Sequence, residues 1–108
     1  MASSKDYLNY VLDQLSELDW LSTRRMMGEY LLYYRRVLVG GVYDDRLLLK
    51  PTKTALRLVR ERGEEAVMDI PYEGAKEMLS ADIDDGAFCR RLICAVAEDL
   101  GADTGGTP

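Results

Sequence analysis

The sequence contains no histidine, only two cysteines, and a single phenylalanine and tryptophan among its 108 residues. Histidine is the commonest metal ligand and a frequent general base, so its absence removes the usual candidate for both roles. Cys89 and Cys94 lie five residues apart, which places them about 140° from each other on one helix and disfavours a disulfide between them. We therefore expect buried free thiols, no metal site and no cofactor.

The short motifs of common catalytic sites are also missing: there is no G-x-S-x-G elbow, no P-loop and no G-x-G-x-x-G. Asp44-Asp45 and Asp84-Asp85 place carboxylates side by side, but acids at turns and helix starts are mostly solvated or act as caps. Lys50 follows three leucines and is either a desolvated amine or, as we favour, a strand-end lysine with its head in water. We predict that the protein is not an enzyme.

Long apolar runs are absent as well. No stretch approaches the roughly 20 apolar residues that cross a membrane, and the N-terminal sequence MASSKDYLNY lacks the apolar core of a secretory signal. A cytoplasmic protein without a membrane partner is the expectation. The length predicts one domain, at residues 1–101, followed by a flexible tail at residues 102–108 whose composition is small and polar.

Amphipathic helices are predicted near both ends of the chain. Ser3 and Asp6 resemble a capping box at the start of the first helix, and Trp20 is expected to close over its end. Asp84 or Asp85 is expected to cap the last helix. Apolar residues recur at helical spacing in both segments. They are Leu8, Val11, Leu12, Leu15 and Leu18 in the first helix, and Phe88, Leu92, Val96 and Leu100 in the last.

The segment between these helices has the pattern of an antiparallel meander. Four runs rich in aromatic, branched and aliphatic residues alternate with turn-like pairs such as Arg35-Arg36 and Asp44-Asp45. No turn has the favoured Asn-Gly or Asp-Gly pair, so the turn types are open. The runs cover residues 23–27, 30–34, 37–43 and 46–50.

Three shorter elements are predicted after the meander: a helix that begins at Thr52, a short strand within residues 66–72, and a short helix within residues 73–80. The sequence therefore predicts an α+β domain of two layers, in which an antiparallel meander sheet packs on the N- and C-terminal helices.

Several residues of the meander permit more than one interpretation. Met26-Met27 is either core packing, which we favour, or an adaptable binding surface. Gly28 is a turn or bulge residue, or a point of close approach for a ligand. Gly40-Gly41 leaves a gap on each face of its strand. A tightly packed helix would fill one gap, and the other would leave room for a partner.

The charge of the chain is unevenly distributed. The net charge is −5, yet residues 21–50 carry six basic and three acidic side chains. Tyrosines interleave with these arginines, which superficially suggests stacking on single-stranded nucleic acid. Because the chain as a whole is acidic, we do not expect direct DNA binding, and a solvated sheet face is favoured over an anionic partner.

Three segments, RRMMGEYLLYY, VLVGGVYDDRLLLKPTKTA and IPYEGAKEML, occur in this order between residues 24 and 79. Together they resemble the N-terminal domain of the TfoX/Sxy family, regulators of natural competence in bacteria. The resemblance runs from about Ser3 to Leu100, nearly the whole chain. The family hallmark R-x-M-[F/M]-G corresponds to residues 24–28. A strand that ends in lysine corresponds to Lys50, and an aromatic beside a proline corresponds to Pro71-Tyr72.

The resemblance implies a two-layer fold similar to that of secretion chaperones, with helices against one antiparallel sheet. The better-known members are co-regulators that act with the cyclic-AMP receptor protein at competence promoters. No catalytic residue is established for the family, so none is carried over. Full-length regulators have a second, helical domain, and this chain resembles a stand-alone form without it, for which the promoter role does not follow.

We expect a non-enzymatic regulatory module, similar to competence and transcription co-regulators, that acts through a protein partner such as a transcription regulator. The alternative is a small-ligand or peptide-binding domain that uses the exposed sheet face. A homodimer is also expected, because the sheet has more apolar positions than one layer of helices needs. The candidate partner- or ligand-binding residues are Arg24, Met27, Gly28, Tyr30, Gly40, Gly41 and Lys50.

Overall fold

The structure is a computed structural model, and it describes residues 3–101. Within that range the chain forms three helices and six strands, so the predicted α+β fold is confirmed. The predicted tail at residues 102–108 lies outside the described residues. In chain order the elements are α1 (Lys5–Gln14), β1 (Leu21–Met26), β2 (Glu29–Tyr34), β3 (Val37–Val42), β4 (Leu47–Leu49), α2 (Lys53–Glu61), β5 (Met68–Asp69), β6 (Met78–Ala81) and α3 (Gly86–Asp99).

The six strands form one antiparallel sheet in the order β1-β2-β3-β4-β6-β5. The first four strands are the predicted meander. The prediction of a helix within residues 73–80 is wrong, because residues 73–77 form turns and coil and residues 78–80 belong to β6, which inserts between β4 and β5. Leu79 pairs with Leu49 on one side and Met68 on the other. Two flanking strands thus outweigh the helical propensity of the local sequence.

One face of the sheet packs on the helices and forms the core. Residues of α1 and α3 at helical spacing pack against the core-facing residues of the central strands, as the helical repeat of about 3.6 residues and the strand repeat of two predict. From the helices, Leu8, Val11, Leu15, Leu92, Ile93 and Val96 are buried in this core. From the sheet, Leu32, Val39, Val42, Leu47, Leu49 and Leu79 join them.

The start of α1 differs from the prediction. Ser4 rather than Ser3 is the N-cap, and its hydroxyl accepts a hydrogen bond from the backbone N–H of Tyr7 at 3.1 Å. Ser3 instead donates its hydroxyl proton to the carboxylate of Glu29 at 2.7 Å and accepts from the backbone N–H of Asp45 at 3.1 Å. This network ties the N-terminus of α1 to two hairpin turns of the sheet.

Three hairpin turns connect the first four strands, and each has a two-residue loop. Both loop residues have a positive φ in every case, which is the geometry of a type I′ turn. Only the first loop contains a glycine, Gly28 at φ 85°, after Met27 at φ 51°. The other two loops are the Arg35-Arg36 and Asp44-Asp45 pairs, with φ between 51° and 68°. The expected turn positions are confirmed.

No helix in the described part of the chain is long and apolar enough to span a membrane.

Candidate functional site

The described residues include one thiol with a strongly raised pKa and no cluster of metal ligands. No group of three or more histidine, cysteine, aspartate or glutamate side chains within residues 3–101 is placed to hold a metal ion. Burial, reinforced by the negative charge of Asp85, raises the pKa of the Cys89 thiol to about 12. This thiol donates to the backbone carbonyl of Asp82. A thiol with such a pKa stays protonated near neutral pH and is a poor nucleophile.

The paired carboxylates serve the fold. Asp85 caps α3 by accepting from the backbone N–H of Phe88 at 3.3 Å, as predicted. It also accepts from the guanidinium of Arg62 at 2.8 Å, and this hydrogen bond is the main reason that the pKa of Asp85 is lowered. Asp45 accepts from the backbone N–H of Ser4 at 2.8 Å. Both acids thereby stabilise turns and helix starts.

The sheet register divides the candidate residues between two faces. Tyr30 lies opposite Arg25 and Val42 and packs against the helix-covered core. Arg24 lies opposite Leu31, which lies opposite Gly41, so these residues share the outer face. Because neighbouring strands are about 4.8 Å apart, Arg24 and Gly41 stand about 10 Å from each other. The candidates do not converge on one pocket.

Gly40 and Gly41 are both buried, and the protein itself occupies the space beside each. A Cβ on Gly40 would lie 2.1 Å from the backbone oxygen of Leu48, so strand β4, and not a helix, approaches this residue. A Cβ on Gly41 would lie 2.8 Å from the ring of Tyr43. The predicted room for a partner at this pair is therefore filled by Tyr43.

The remaining candidates lie at the ends of strands. Met27 is 95% exposed in the β1–β2 turn and Met26 is 42% exposed before it, so the favoured prediction of core packing is wrong for both residues. Gly28 is the second residue of that turn, and its carbonyl accepts from the backbone N–H of Ser3 at 3.2 Å. Lys50 is half-buried after β4, and its backbone N–H donates to the carbonyl of Val39 at 2.9 Å.

The outer face of the sheet is partly covered by the chain's own loop. Leu48 is fully buried, although it lies opposite Gly41 and outside the helix-covered core. Tyr43 lies over Gly41, and its ring centroid is 6.4 Å from that of Tyr72. Leu31, Tyr33 and Leu38 remain half-buried on the same face. Part of the apolar surplus that suggested a dimer is thus covered within one chain.

The most exposed stretch of the sheet is residues 20–27, which we call the edge strip. It comprises β1, one residue before it and one after it. Leu21 is half-buried and the other seven residues are exposed. Trp20, which the sequence places over the end of α1, is instead 71% exposed at a φ of 68°. Such a backbone conformation is rare for a bulky residue and often accompanies function.

A shallow cleft of about 560 Å³ opens at the Trp20 end of the edge strip. It is lined by Trp20, Leu21, Ser22, Arg35 and Arg36. The backbone N–H of Arg35 donates to the carbonyl of Trp20 at 3.1 Å, which holds the β2–β3 turn against the start of β1. An exposed tryptophan thus lies beside two arginines, a combination enriched among residues that dominate binding energy in protein interfaces.

The fold defines a two-layer α+β domain whose sheet has β1 and β5 as its edge strands. The chain belongs to the TfoX N-terminal domain family, whose model matches residues 13–96. It is also 39% identical, over 82 residues, to an uncharacterised 12.7 kDa protein from the trpE 5′ region of Spirochaeta aurantia. That match covers 76% of this chain and 68% of the relative. The resemblance seen in the sequence is confirmed, and the family is not a known enzyme family.

Arg24 and Met27 are the two sequence candidates that lie within the edge strip. Sequence reasoning missed Trp20 as a candidate because a lone tryptophan after an amphipathic helix is normally part of the core. A usable signal was present: Ser22, Thr23, Arg24 and Arg25 form a polar run beside it, which indicates that both faces of this strand meet solvent.

Proposed function

We propose that this chain is a non-enzymatic regulatory module that acts by binding another protein through the edge strip. The observation that carries the proposal is the exposure of seven of the eight residues of the strip, at the edge of an otherwise well-packed sheet. Family membership supports the proposal, since the better-known members of the TfoX/Sxy family are co-regulators. The partner we propose is a transcription regulator.

The protonation states and contacts of the candidate catalytic groups support a role without catalysis. The Cys89 thiol has a pKa raised to about 12 by burial, and the carboxylates of Asp45 and Asp85 are engaged in hydrogen bonds of the fold. A small-ligand site on the outer sheet face has less support, because the ring of Tyr43 fills the space above Gly41 and Tyr30 packs on the opposite face.

Affinity capture from the cells that make this protein tests the proposal. The full chain is the bait, and Trp20→Ala and Tyr72→Ala are matched variants, since each removes one exposed aromatic side chain. We expect the wild type and Tyr72→Ala to recover a polymerase subunit, an activator or another regulator, and Trp20→Ala to recover much less. Recovery of no regulatory protein by the wild type would contradict the proposal.

Fluorescence gives a second readout of the same binding. Trp20 is the single tryptophan of the chain, so its emission reports on the edge strip alone. A purified partner that covers the strip is expected to shift this emission to shorter wavelength, because the indole leaves water. A partner that binds without changing the emission would place the interface elsewhere.

A further inference from the structure

The outer edge of β1 carries backbone groups that no other strand of residues 3–101 uses, because β1 pairs only with β2. Opposed residues in an antiparallel pair alternate between hydrogen-bonded and non-bonded positions. The backbone N–H of Arg35 donates to the carbonyl of Trp20, so Trp20 occupies a hydrogen-bonded position of the β1–β2 ladder. Leu21, Thr23 and Arg25 therefore turn their backbone N–H and C=O groups toward the open side.

The charged side chains of this edge lie on opposite faces. Arg24 lies opposite Leu31 on the outer face, and Arg25 lies opposite Tyr30 on the helix-covered face. Both arginines are exposed, and neither has a hydrogen-bond or ion-pair partner within the described part of the chain. The edge strip contains no acidic residue. An added strand would therefore meet positive charge on both of its faces.

Apolar anchors lie at the two ends of the same strip. Trp20 is 71% exposed at one end and Met27 is 95% exposed at the other. At about 3.3 Å per residue, the seven steps between them span about 23 Å, which is the length of a strand of seven or eight residues. Large apolar anchors around a polar centre are a common arrangement for recognition of an extended peptide.

We propose that an extended segment of an acidic partner protein adds to β1 as a seventh strand of the sheet. Two adjacent acidic residues of this segment pair with Arg24 and Arg25, because neighbouring residues of a strand point to opposite faces. Its backbone bonds to Leu21, Thr23 and Arg25, and its ends contact Trp20 and Met27. This inference rests on the proposed function and specifies the chemistry of the partner.

Charge disfavours the two other occupants of such an edge. A second copy of the chain, paired antiparallel through β1, would bring two copies of Arg24 and Arg25 together, and like charges on paired strands are destabilising. Nucleic acid presents no strand backbone to the free N–H and C=O groups, and the chain carries a net charge of −5 that repels a long polyanion. A short acidic segment uses both the backbone groups and the arginines.

Selection from a phage-displayed library of random dodecapeptides against the full chain tests the inference. Thr23→Pro removes one outward N–H, whereas Thr23→Val removes the same hydroxyl but keeps that N–H. Arg24→Glu with Arg25→Glu reverses the charge of the strip. Arg60→Glu with Lys76→Glu makes the same change in net charge at two exposed positions outside the strip. Circular dichroism establishes that each variant is folded.

We expect the enriched peptides to contain two adjacent acidic residues among strand-forming residues. Their affinity falls at least about tenfold for Thr23→Pro and for the Arg24/Arg25 reversal, and changes less than about twofold for the two matched controls. Failure to enrich any peptide overturns the inference, as does equal binding to Thr23→Pro and Thr23→Val. Displacement of the peptides by an oligothymidine that binds more tightly also overturns it.

The outcomes separate this inference from the proposed function. If regulatory proteins captured by the wild type are captured equally by Thr23→Pro, the edge is not their site, and the regulatory role stands without it. If acidic peptides are selected at the edge but no regulatory protein is captured from cells, the regulatory role fails and the peptide site stands.

Discussion

The two edges of the sheet are built in opposite ways. At one edge, β5 has only two residues, and Arg46 binds its last residue and the segment that follows it. The guanidinium of Arg46 donates to the carboxylate of Asp69 and to the carbonyls of Ile70 and Pro71. At the other edge, β1 has six residues, and no strand of residues 3–101 covers its outer side.

The difference supports the proposal that β1 is a binding edge. Natural proteins protect sheet edges with short strands, prolines, charges or covering loops, because an open edge is a template for further pairing. The β5 edge has a short strand and a buried proline, whereas β1 has only Arg24 and Arg25. These two charges disfavour pairing with a second copy and still permit pairing with an acidic strand.

The largest expected effect on stability is at Gly40 in the centre of the sheet, and the effects at the two edges are compared with it. Gly40→Ala is expected to lower the free energy of unfolding by about 3 kcal/mol, because the new methyl group would meet the backbone of β4. Gly63→Ala is the control. It has a positive φ but open space around it, so its expected cost is about 1 kcal/mol. Urea denaturation measures both values, and equal costs would contradict the close approach at Gly40.

Proline substitutions test the alternation of backbone groups along β1. Ser22→Pro removes an N–H that bonds to β2 and is expected to cost about 2 kcal/mol. Thr23→Pro removes an N–H that faces the open side and is expected to cost less than about 1 kcal/mol. Thermal denaturation of the two variants measures the difference. A reversed order would show that the assigned alternation is wrong.

Truncation of one arginine at each edge tests whether the two edges differ in their contribution to stability. Arg46→Ala is expected to cost about 1.5 kcal/mol, mainly through its lost hydrogen bonds to backbone carbonyls. Arg24→Ala is expected to change stability by less than about 0.5 kcal/mol, because its side chain is exposed and unpaired in the described chain. Similar costs in chemical denaturation would remove the contrast between the edges.

The effect of Arg46→Ala also depends on pH in a defined direction. The hydrogen bond from Arg46 lowers the pKa of Asp69 in the folded protein. A lowered folded-state pKa adds stability above the unfolded pKa, which is about 4, and this stability is lost as the pH falls through the folded value. The difference in stability between wild type and Arg46→Ala is therefore expected to narrow below about pH 4. A difference that widens there would contradict the assigned contact.

A gain in stability is expected at the turn beside the edge strip. Arg36 has a φ of 68° in a type I′ loop, a backbone conformation that glycine adopts without strain. Arg36→Gly is therefore expected to make the protein more stable by about 1 kcal/mol in thermal denaturation. Arg36→Lys keeps the charge and the strain and is expected to be neutral. A destabilised Arg36→Gly variant would assign this arginine a packing role.

The parts of the fold that local pattern determines were predictable from the sequence. The apolar stripe of α1, the four strands of the meander and the capping of α3 by Asp85 all follow from periodicity and turn chemistry. The prediction failed at residues 73–80, which carry helix-forming residues. Leu79 lies between Leu49 and Met68, and pairing between residues so distant in the chain leaves no local signal.

The candidate site was predictable only in part, for a related reason. Arg24 and Met27 were identified as candidates, and both are exposed at the edge of the sheet. One of the two gaps at Gly40-Gly41 was assigned to a partner, but Tyr43 folds back over Gly41, a contact that depends on the path of the β3–β4 turn. Trp20 was expected to close over the end of α1, because composition alone does not reveal which apolar residues stay in water.

Amide hydrogen exchange along β1, measured by NMR on the full chain, distinguishes an open sheet edge from a paired one. We expect slow exchange at the N–H groups of Ser22, Arg24 and Met26, which face β2. We expect fast exchange at Leu21, Thr23 and Arg25, independent of protein concentration. Slow exchange at all six amides would contradict an open edge, and protection that rises with concentration would show that a second copy occupies it.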